Sequence, residues 1–321
     1  MNLLDSCWNG TASMLRRSCI ALARHGQVPR HIAFIMDGNR RFARKMHAET
    51  AQGHRWGFDT LEHILEWCLE LGVEAVSVYA FSIENFKRPH DEVETLMNLT
   101  KEKLAMLCEK SELVRQYNVR IRIIGNLDLL PADVREACEH AMRMTAAHTK
   151  ATLNICMPYT SRDEMTTAVR RAMRGVEHAQ LEPSDIDEEL LERCLYTSSS
   201  PDVDILVRTS GEVRLSDYLL WQCGEHCQVH FVQQLWPELS AWRLLPLVLD
   251  YQRMYSRIQA GRNQRAARLR QEREKRAWKQ LQDQGLSGDA ETVARLVQER
   301  DERVAQFLRT FEAHTTLPTR F

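Results

Sequence analysis

The stretch HIAFIMDGNRRFARK, residues 31–45, contains the transition that decides the fold. Its first part, HIAFIM (31–36), is a short apolar run typical of a buried strand. Asp37 and Gly38 end that run, and a helical pattern opens directly after them. A strand followed at once by a helix is the repeating unit of a parallel sheet covered by helices.

The same alternation continues along the chain. Five further β-rich runs lie at 74–81, 119–125, 151–157, 203–210 and 228–232, and helical patterns lie at 41–71, 91–117, 131–148, 161–178 and 186–195. This order predicts a single α/β domain with a mostly parallel sheet of about six strands flanked by helices. In such sheets ligands bind outside the carboxyl ends of the strands, so the chemistry is expected there.

Both ends of the chain carry helical patterns without strands. At the N-terminus, apolar residues recur at spacings of three and four: Leu4, Trp8, Ala12, Leu15, Cys19 and Leu22. This stripe predicts an amphipathic helix that either lies at a membrane interface or packs on the main domain. A basic stretch (262–282), a glycine-containing break (285–289) and an amphipathic stretch (290–312) predict a helical hairpin arm. The expected organisation is an N-terminal helix (1–28), an α/β domain (29–255) and a C-terminal arm (256–321).

Composition excludes several classes of protein. Lys and Arg number 43 against 44 Asp and Glu, so the whole chain has no strong positive field that would attract nucleic acid. The nine cysteines are an odd number without paired CxxC spacing, which argues against a disulfide framework and favours a reducing compartment. No run approaches the ~20 apolar residues of a membrane-spanning helix. We expect a globular protein that does not cross a bilayer.

The end of the first predicted strand has the composition of an anion site. Asp37, Gly38, Asn39, Arg40 and Arg41 open a helix there, and free amides, a glycine and arginine side chains together suit a phosphate. A carboxylate beside a diphosphate requires a divalent cation between them, and Mg²⁺ prefers such hard oxygen ligands. The alternative is that Asp37 only caps the helix.

Two further strand ends carry polar clusters. Ser82, Asn85 and Arg88 follow the second strand, and the fifth ends in RTSGEVRLS (208–216), where Arg208, Arg214 and other polar residues surround a glycine turn. Two basic, glycine-bearing turns at one edge of a sheet predict two phosphorylated ligands and a reaction between them.

Other functions are less well supported by the residues. The chain has no GxxxxGK[ST] and no GxGxxG after the first strand, which argues against nucleotide-binding loops. Zinc ligation by Cys223, His226, Cys227 and His230 lacks a known spacing. RNA binding by the basic helix and a non-catalytic scaffold role remain alternatives, while Cys68 and other cysteines at apolar positions are expected to fill the core.

Several motifs in order resemble the cis-prenyltransferase family, the undecaprenyl diphosphate synthase-like enzymes. They are HIAFIMDGNRRFARK, Gly53-His54, YAFSIENFKRP and DILVRTSGEVRLSDYLLWQ, followed by LWPE. The resemblance covers about residues 29–252 and is strongest to the catalytic subunits of the eukaryotic branch. It implies a single, largely parallel α/β domain, in agreement with the strand pattern.

The resemblance implies Mg²⁺-dependent addition of isopentenyl diphosphate to farnesyl diphosphate with cis double bonds. The product would be a long-chain polyprenyl (dehydrodolichyl) diphosphate, the precursor of dolichol for protein glycosylation. Asp37 matches the catalytic, Mg²⁺-associated acid, and Asn85 and His54 match residues of ionisation and proton transfer. Residues matching the primer diphosphate site are Gly38, Asn39, Arg40, Arg41 and Arg88. Residues matching the isopentenyl diphosphate site are Arg208, Arg214 and Ser216.

Three departures from the family pattern bear on partners. Thr50 stands where members usually have a further diphosphate-binding arginine, and Cys227 stands where bacterial members have a metal-binding glutamate. The C-terminal RxG motif that completes the neighbouring site in homodimers is absent. The resemblance therefore implies a non-catalytic homologous partner of the Nogo-B-receptor type, with further assembly through the C-terminal arm.

The expected product determines an expected location. Residues 92–118, which line the elongation tunnel in this family, are about one turn longer than in bacterial members, which predicts longer products. Each buried CH₂ contributes ~0.8 kcal/mol, so a polyprenyl tail must pass to a bilayer and not to water. We expect peripheral attachment to the cytosolic face of the endoplasmic reticulum.

Overall fold

The structure is a computed structural model that describes residues 3–109, 112–283 and 289–315. Its sheet has six parallel strands in the order β3-β4-β2-β1-β5-β6. They are β1 (His31–Ile35), β2 (Ala75–Tyr79), β3 (Val119–Ile124), β4 (Ala151–Cys156), β5 (Ile205–Arg208) and β6 (Gln228–Phe231). Every predicted strand is present, so the predicted α/β fold class is confirmed.

Helices connect the strands and extend both ends of the chain. In chain order they are α1 (Leu3–Arg24), α2 (Asn39–Lys45), α3 (Thr50–Leu71), α4 (His90–Glu109), α5 (Glu112–Gln116), α6 (Ala132–Met144), α7 (Ser161–Glu177), α8 (Glu188–Arg193), α9 (Ala241–Asp283) and α10 (Ala290–Thr315). The single helix predicted for 41–71 is wrong, because His47 adopts a left-handed φ of 53° and separates α2 from α3. Within the described residues no helix is both long and apolar enough to cross a bilayer.

Contacts divide the described residues into two compact units. The first lies within Met1–Ser161 and Ser200–Ser256, and the second within Arg162–Ser199 and Arg257–Phe321. The first unit contains the sheet, and β1 is buried at every position. Helix α3 contributes one inner face at helical spacing: Gly53, Gly57, Thr60, Leu61, Ile64, Leu65, Cys68 and Leu71. The predicted boundaries at 28 and 255 stay a prediction.

The buried face of α1 differs from the apolar stripe that the sequence predicted. Ile20 and Ala23 are buried, whereas Leu15 and Leu22 are 58% and 74% exposed. The side chains of Leu4, Trp8 and Ala12 lie outside the described residues. The helix contacts α3, so its packed face is offset from the predicted one and part of its apolar surface remains exposed.

The second unit contains α10 and the part of α9 that follows Ser256. Ala277, Leu281 and Val293 form a small apolar cluster that joins α9 to α10, as expected for a helical hairpin. The predicted break at 285–289 lies almost wholly outside the described residues. Arg265 and Arg273 of the basic stretch pair with Glu188 and Glu189, so part of its charge is neutralised inside this unit.

The strand order determines where a ligand can enter. Strand β1 has β2 on one side and β5 on the other, so the chain winds outward in both directions from β1. A crevice opens at the carboxyl ends of two strands where the winding direction changes. Ile35 of β1 is in register with Arg208 of β5, which brings Asp37 and the 208–216 turn to the same crevice.

Candidate active site

The backbone of Asp37 is fixed from two directions. Its N–H donates to the Thr209 hydroxyl at 3.0 Å, and its carbonyl accepts from the same hydroxyl at 2.7 Å. The carbonyl also accepts the N–H of Trp236 at 2.9 Å. The Trp236 side chain is fully buried and donates to the Gly57 carbonyl of α3 at 2.7 Å. The turn after β1 is therefore held by β5, α3 and the LWPE segment.

The carboxylate of Asp37 binds two arginines. Arg208 Nη2 donates to Oδ2 at 2.8 Å, and Arg41 Nη2 lies 3.3 Å from Oδ1. The Arg208 side chain is only 3% exposed, while that of Asp37 is 28% exposed. One buried cation thus lies beneath a carboxylate that solvent or a ligand can still reach.

Arg208 also organises the turn that follows β5. Its Nη1 donates to the Arg214 carbonyl and to the Ser216 hydroxyl, each at 2.7 Å. The Arg214 side chain points outward, is 59% exposed and pairs with Glu212. The structure therefore brings the Asp37, Arg208 and Ser216 side chains together, whereas Arg214 joins them only through its backbone carbonyl.

The helix after Asp37 starts at a glycine. Gly38, and not Asp37, is the N-cap of α2, with φ 110° and no side-chain hydrogen bond of its own to the helix start. The alternative that Asp37 serves only as a cap is therefore wrong. A Cβ at Gly38 would lie 3.0–3.1 Å from atoms of Leu235, so both the conformation and the space require glycine.

Arg40 and Arg88 share a carboxylate that the sequence analysis missed. Glu92 Oε1 lies 2.9 Å from Arg88 Nη1 and 3.5 Å from Arg40 Nη1. The pKa of the nearby His54 is lowered by burial, then by Arg88 and Arg40, while Glu92 opposes the shift. His54 is consequently neutral near pH 7, and its buried Nε2 has no hydrogen-bond partner.

Asn85 has a structural role in the 3₁₀ helix Ile83–Lys87. Its Oδ1 accepts the Ser82 N–H at 3.0 Å, and the Ser82 hydroxyl accepts the Glu84 N–H at 3.2 Å. Among the hydrogen bonds of the described residues, none joins Asn85 to Asp37. The Oδ1 of Asn85 therefore caps this 3₁₀ helix, while its amide nitrogen remains available to a ligand.

Several buried polar atoms around this edge have no partner in the structure. They are Asn39 Oδ1, His54 Nε2, Arg208 Nε and Ser210 Oγ. Leaving such an atom unpaired costs roughly 1–3 kcal/mol, so native proteins rarely keep several of them close together without a function. Two of these atoms, Arg208 Nε and Ser210 Oγ, belong to the segment that holds Asp37, where a polar ligand would be expected to bind.

Sequence reasoning missed four residues of this site. Glu92 and Glu212 neutralise arginines, Thr209 fixes Asp37, and the Ser210 carbonyl accepts from Arg41 at 3.4 Å. Glu92 follows Arg88 at the i,i+4 spacing of a helical ion pair, which was an available signal. The pairing of Arg41 with Glu212 had no local signal.

The side chains available as metal ligands indicate which metal ion the site could hold. Among the residues that the structure describes, no three His, Cys, Asp or Glu side chains are grouped as metal ligands. Mg²⁺ commonly uses one or two carboxylates and completes its shell with water and substrate phosphates. The reachable carboxylate of Asp37 beside unpaired polar atoms fits that mode of binding.

Two arginine-lined turns lie around one carboxylate at the carboxyl edge of a parallel sheet, an arrangement that suits anionic ligands. The family model for undecaprenyl diphosphate synthase, a prenyltransferase family, matches residues 35–259. The chain is 46% identical over 313 residues to the mouse dehydrodolichyl diphosphate synthase complex subunit, covering 94% of both chains.

A complex subunit of the same name from Schizosaccharomyces pombe is 45% identical over 242 residues, covering 75% of this chain and 92% of the relative. Among solved structures, Lavandula x intermedia lavandulyl diphosphate synthase in complex with dimethylallyl diphosphate aligns with a TM-score of 0.65 and 28% identity, covering 70% of this chain and 95% of that one. The chain belongs to the undecaprenyl diphosphate synthase family of cis-prenyltransferases and is a transferase of prenyl groups.

Two of the three departures from the family pattern can be located. Thr50 is the exposed first residue of α3. Cys227 precedes β6, and its thiol donates to the Gln228 carbonyl at 3.5 Å. A hydrogen bond with Cys223 and burial both raise the pKa of the Cys227 thiol. A protonated thiol is a poor substitute for a metal-binding carboxylate.

Proposed function

We propose that this chain is the catalytic subunit of a dehydrodolichyl diphosphate synthase. It would add isopentenyl diphosphate repeatedly to farnesyl diphosphate and yield a dolichol precursor. One observation supports this most strongly: Arg208 binds Asp37 and Ser216 at once, so the two predicted diphosphate sites share one buried cation. The names of the most similar relatives support the same product class.

Each side chain has a role that follows from its position. Arg40, Arg41 and the start of α2 bind the primer diphosphate, and Arg208, Arg214 and Ser216 bind isopentenyl diphosphate. As the primer C–O bond breaks, negative charge grows on the departing diphosphate, and the fixed guanidinium groups stabilise it. Asp37 would hold Mg²⁺, which when bound would further neutralise that charge.

The new C–C bond forms between the primer C1 and the terminal CH₂ carbon of isopentenyl diphosphate as the primer C1–O bond breaks. Positive charge then develops on the methyl-bearing carbon of the isopentenyl unit, and a proton must leave the CH₂ next to that carbon, C2, to form the new double bond. A neutral imidazole can accept a proton, and the lowered pKa of His54 keeps it neutral. The free amide of Asn85 orients a diphosphate beside it.

An assay tests this function directly. Radiolabelled isopentenyl diphosphate, farnesyl diphosphate and Mg²⁺ are incubated with the full-length chain, with and without a candidate partner, and products are sized by chromatography. Long polyprenyl products that require Asp37 support the proposal. Products from Asp37→Ala equal to those of the parent contradict it and favour a scaffold role.

A homologous, non-catalytic subunit of the Nogo-B-receptor type is proposed to complete the site. The relatives named complex subunits support a heteromer. Strand β6 is an edge strand, and the unit that contains the sheet exposes large apolar side chains after β5 and on α9: Val213, Leu220, Trp242 and Leu249. Exposed apolar side chains of this size suit a permanent partner.

Co-purification tests that surface. Trp242→Ser with Leu249→Ser is expected to abolish association with the partner and to reduce activity to that of the isolated chain. Val169→Ser, which changes an exposed apolar residue of the other unit, serves as the control. Full association by the double variant would exclude this surface.

Helix α1 is proposed to contact anionic lipid at the endoplasmic reticulum. Met14, Leu15 and Leu22 are exposed on it, and Arg17 and Arg24 lie on the same helix. A cavity of about 840 Å³ beside the helix is lined by Arg17, Arg24 and Lys150, among others. Among the described residues no carboxylate pairs with these three cations. Apolar side chains flanked by unpaired cations are typical of interfacial helices.

Vesicle sedimentation tests membrane contact. Arg17→Gln with Arg24→Gln is expected to lose binding to vesicles that contain anionic lipid, while Arg143→Gln in α6 binds like the parent. Deletion of residues 1–24 is expected to lose binding altogether. Unchanged membrane association and turnover after that deletion would exclude the proposal.

A further inference from the structure

Tyr79, the last residue of β2, lies between the two parts of the candidate site. Its ring stacks on that of Tyr218 with centroids 4.4 Å apart and planes at 13°, and it meets Tyr159 edge to face. Burial raises the pKa of Tyr79, which a hydrogen bond from Ser82 partly offsets. The hydroxyl therefore remains protonated, and remains a donor, throughout the physiological range.

The Tyr79 hydroxyl reaches both neighbouring segments. It lies 3.1 Å from the Tyr159 carbonyl and 3.3 Å from the Ser216 carbonyl, and its single hydrogen is shared between them. The Tyr159 carbonyl also accepts the N–H of Ile83 at 3.3 Å, at the start of the 3₁₀ helix that contains Asn85. One hydroxyl thus connects the segment of Asn85 with the turn of Ser216.

The turn that Tyr79 contacts is in a conformation that few residues adopt. Within residues 214–219 the non-glycine residues with positive φ are Ser216 (51°), Asp217 (60°) and Leu219 (46°). Such angles persist only where the surroundings hold them. Arg208 holds the Ser216 hydroxyl, and the Ser161 N–H donates to the Asp217 carbonyl at 2.8 Å. The Ser216 carbonyl itself depends on Tyr79.

We propose that Tyr79 is a positioning residue that holds the 214–219 turn in the shape required to bind isopentenyl diphosphate. The inference rests on the proposed function for the identity of that ligand. Tyr79 acts through the Ser216 carbonyl, and among the hydrogen bonds of the described residues none joins it to Arg40, Arg41 or Arg88 of the predicted primer site. Its loss should therefore change affinity for isopentenyl diphosphate and leave farnesyl diphosphate unaffected.

The variant Tyr79→Phe keeps the stacked ring and removes only the hydroxyl. In the full-length protein, the KM for isopentenyl diphosphate is expected to rise about 3- to 10-fold, which corresponds to one neutral hydrogen bond. The kcat and the KM for farnesyl diphosphate should stay within about 2-fold of the parent. Tyr117→Phe is the control, because it likewise removes one hydroxyl and keeps the ring, which lies under the Lys150 ammonium outside this turn.

Amide hydrogen exchange supplies a readout that does not depend on catalysis. The Tyr218 N–H, bonded to the Leu215 carbonyl at 3.1 Å, and the Leu220 N–H, bonded to the Ser161 hydroxyl at 2.9 Å, are expected to exchange faster in Tyr79→Phe. Exchange and KM values equal to those of the parent would overturn the inference. If the parent chain binds no isopentenyl diphosphate and Tyr79→Phe still exchanges faster, the positioning role is supported and the proposed function is contradicted.

Discussion

At the scale of single residues, Asp37 combines two properties that are seldom found together. Its carboxylate neutralises a nearly fully buried guanidinium, that of Arg208, yet it remains partly exposed to a ligand. Its backbone is held by Thr209 and Trp236, so the carboxylate has little freedom to move away. Preorganisation of this kind lets charged groups act without rearranging during the reaction.

Asp37→Asn is expected to lower kcat by about 100-fold or more, because the amide keeps the shape but neither binds a cation nor balances Arg208. Steady-state kinetics with labelled isopentenyl diphosphate measures the change. Asp128→Asn, which alters an exposed acid that pairs with Arg135, is the control and should retain parental kcat. A kcat for Asp37→Asn within a factor of about two of the parent would contradict this role.

Thr209→Val is expected to lower the free energy of unfolding by about 1–3 kcal/mol, since the Asp37 N–H loses its acceptor inside the protein. Urea titration gives the value. Thr95→Val, at an exposed position of α4 where the hydroxyl bonds only to its own helix, is expected to change stability by less than about 0.5 kcal/mol. Equal losses of stability for the two substitutions would argue that the Thr209 hydroxyl does not hold the Asp37 backbone.

His54 should titrate below its ordinary pKa of 6.5, because burial and two arginines disfavour its cation. Below pH 6.5 the unfolded chain binds the proton more readily than the folded one does. The contribution of neutral His54 to the free energy of unfolding is therefore complete above pH 6.5, and it is lost as the pH falls through the folded-state pKa. The acid limb of kcat/KM should lie below pH 6.5 as well. NMR titration measures the pKa of His54, with His54→Gln used to assign its signal. A pKa at or above 6.5 would contradict the expectation.

The residues that bind anions could be predicted because their types and spacing are local. Asp37, Arg40 and Arg41 occupy one turn, and Arg208 and Arg214 occupy another. Their partners could not be predicted in the same way, because Arg41 reaches Glu212 across 171 positions and only the strand order brings them together. Long-range charge pairs leave no periodic trace in a sequence.

At the scale of elements, the packing of α2 on α3 positions the primer arginines. A Cβ at Gly53 would lie 2.4 Å from the Asn39 carbonyl oxygen and 2.9 Å from the Ala43 side chain. The two helices can approach this closely only because residue 53 has no side chain. Strain at this contact is transmitted directly to Arg40 and Arg41.

Gly53→Ala is therefore expected to lower stability by about 1–3 kcal/mol, although alanine is the better helix former. The KM for farnesyl diphosphate should rise as well, because α2 must shift. Gly224→Ala, where the nearest atom is 3.3 Å away, is the matched control for both measurements. Unchanged stability and unchanged primer KM in Gly53→Ala would show that the helices can separate without cost.

The elements differ in how well local patterns predict them. The strands were predicted because apolar, β-branched runs at the centre of a sheet contrast sharply with their flanks. The break between α2 and α3 contains neither glycine nor proline, so no local signal marks the left-handed His47. In α1 the apolar residues are numerous enough to define more than one stripe, and packing selected the face of Ile20 and Ala23.

At the scale of the whole molecule, buried ion pairs hold the parts of the second unit together. Asp185 is completely buried, and Arg303 donates to its two oxygens at 2.9 and 3.1 Å. Arg300 binds the adjacent Asp187 at 2.6 Å. These pairs tie α10 to the segment before α8, so the C-terminal arm belongs to the fold of this unit.

Arg303→Ala leaves the Asp185 carboxylate buried without its ion-pair partner. Because Arg303 is itself one-third exposed, the expected loss of stability is about 1–3 kcal/mol, less than for a fully buried pair. Trp278, the only tryptophan in the sequence of this unit, reports its unfolding by fluorescence. Arg295→Ala, at an exposed pair on the same helix, should leave the transition unchanged, and equal transitions for both variants would contradict the assignment.

The central claim is that two diphosphates bind side by side at the carboxyl edge of the sheet and share Arg208. A structure of the full-length chain with a non-hydrolysable farnesyl thiolodiphosphate, isopentenyl diphosphate and Mg²⁺ tests it most directly. The account predicts one diphosphate at the start of α2 and the other on Arg208, Arg214 and Ser216, with Asp37 facing both. Diphosphates bound elsewhere, with Asp37 still paired only to arginines, would contradict it.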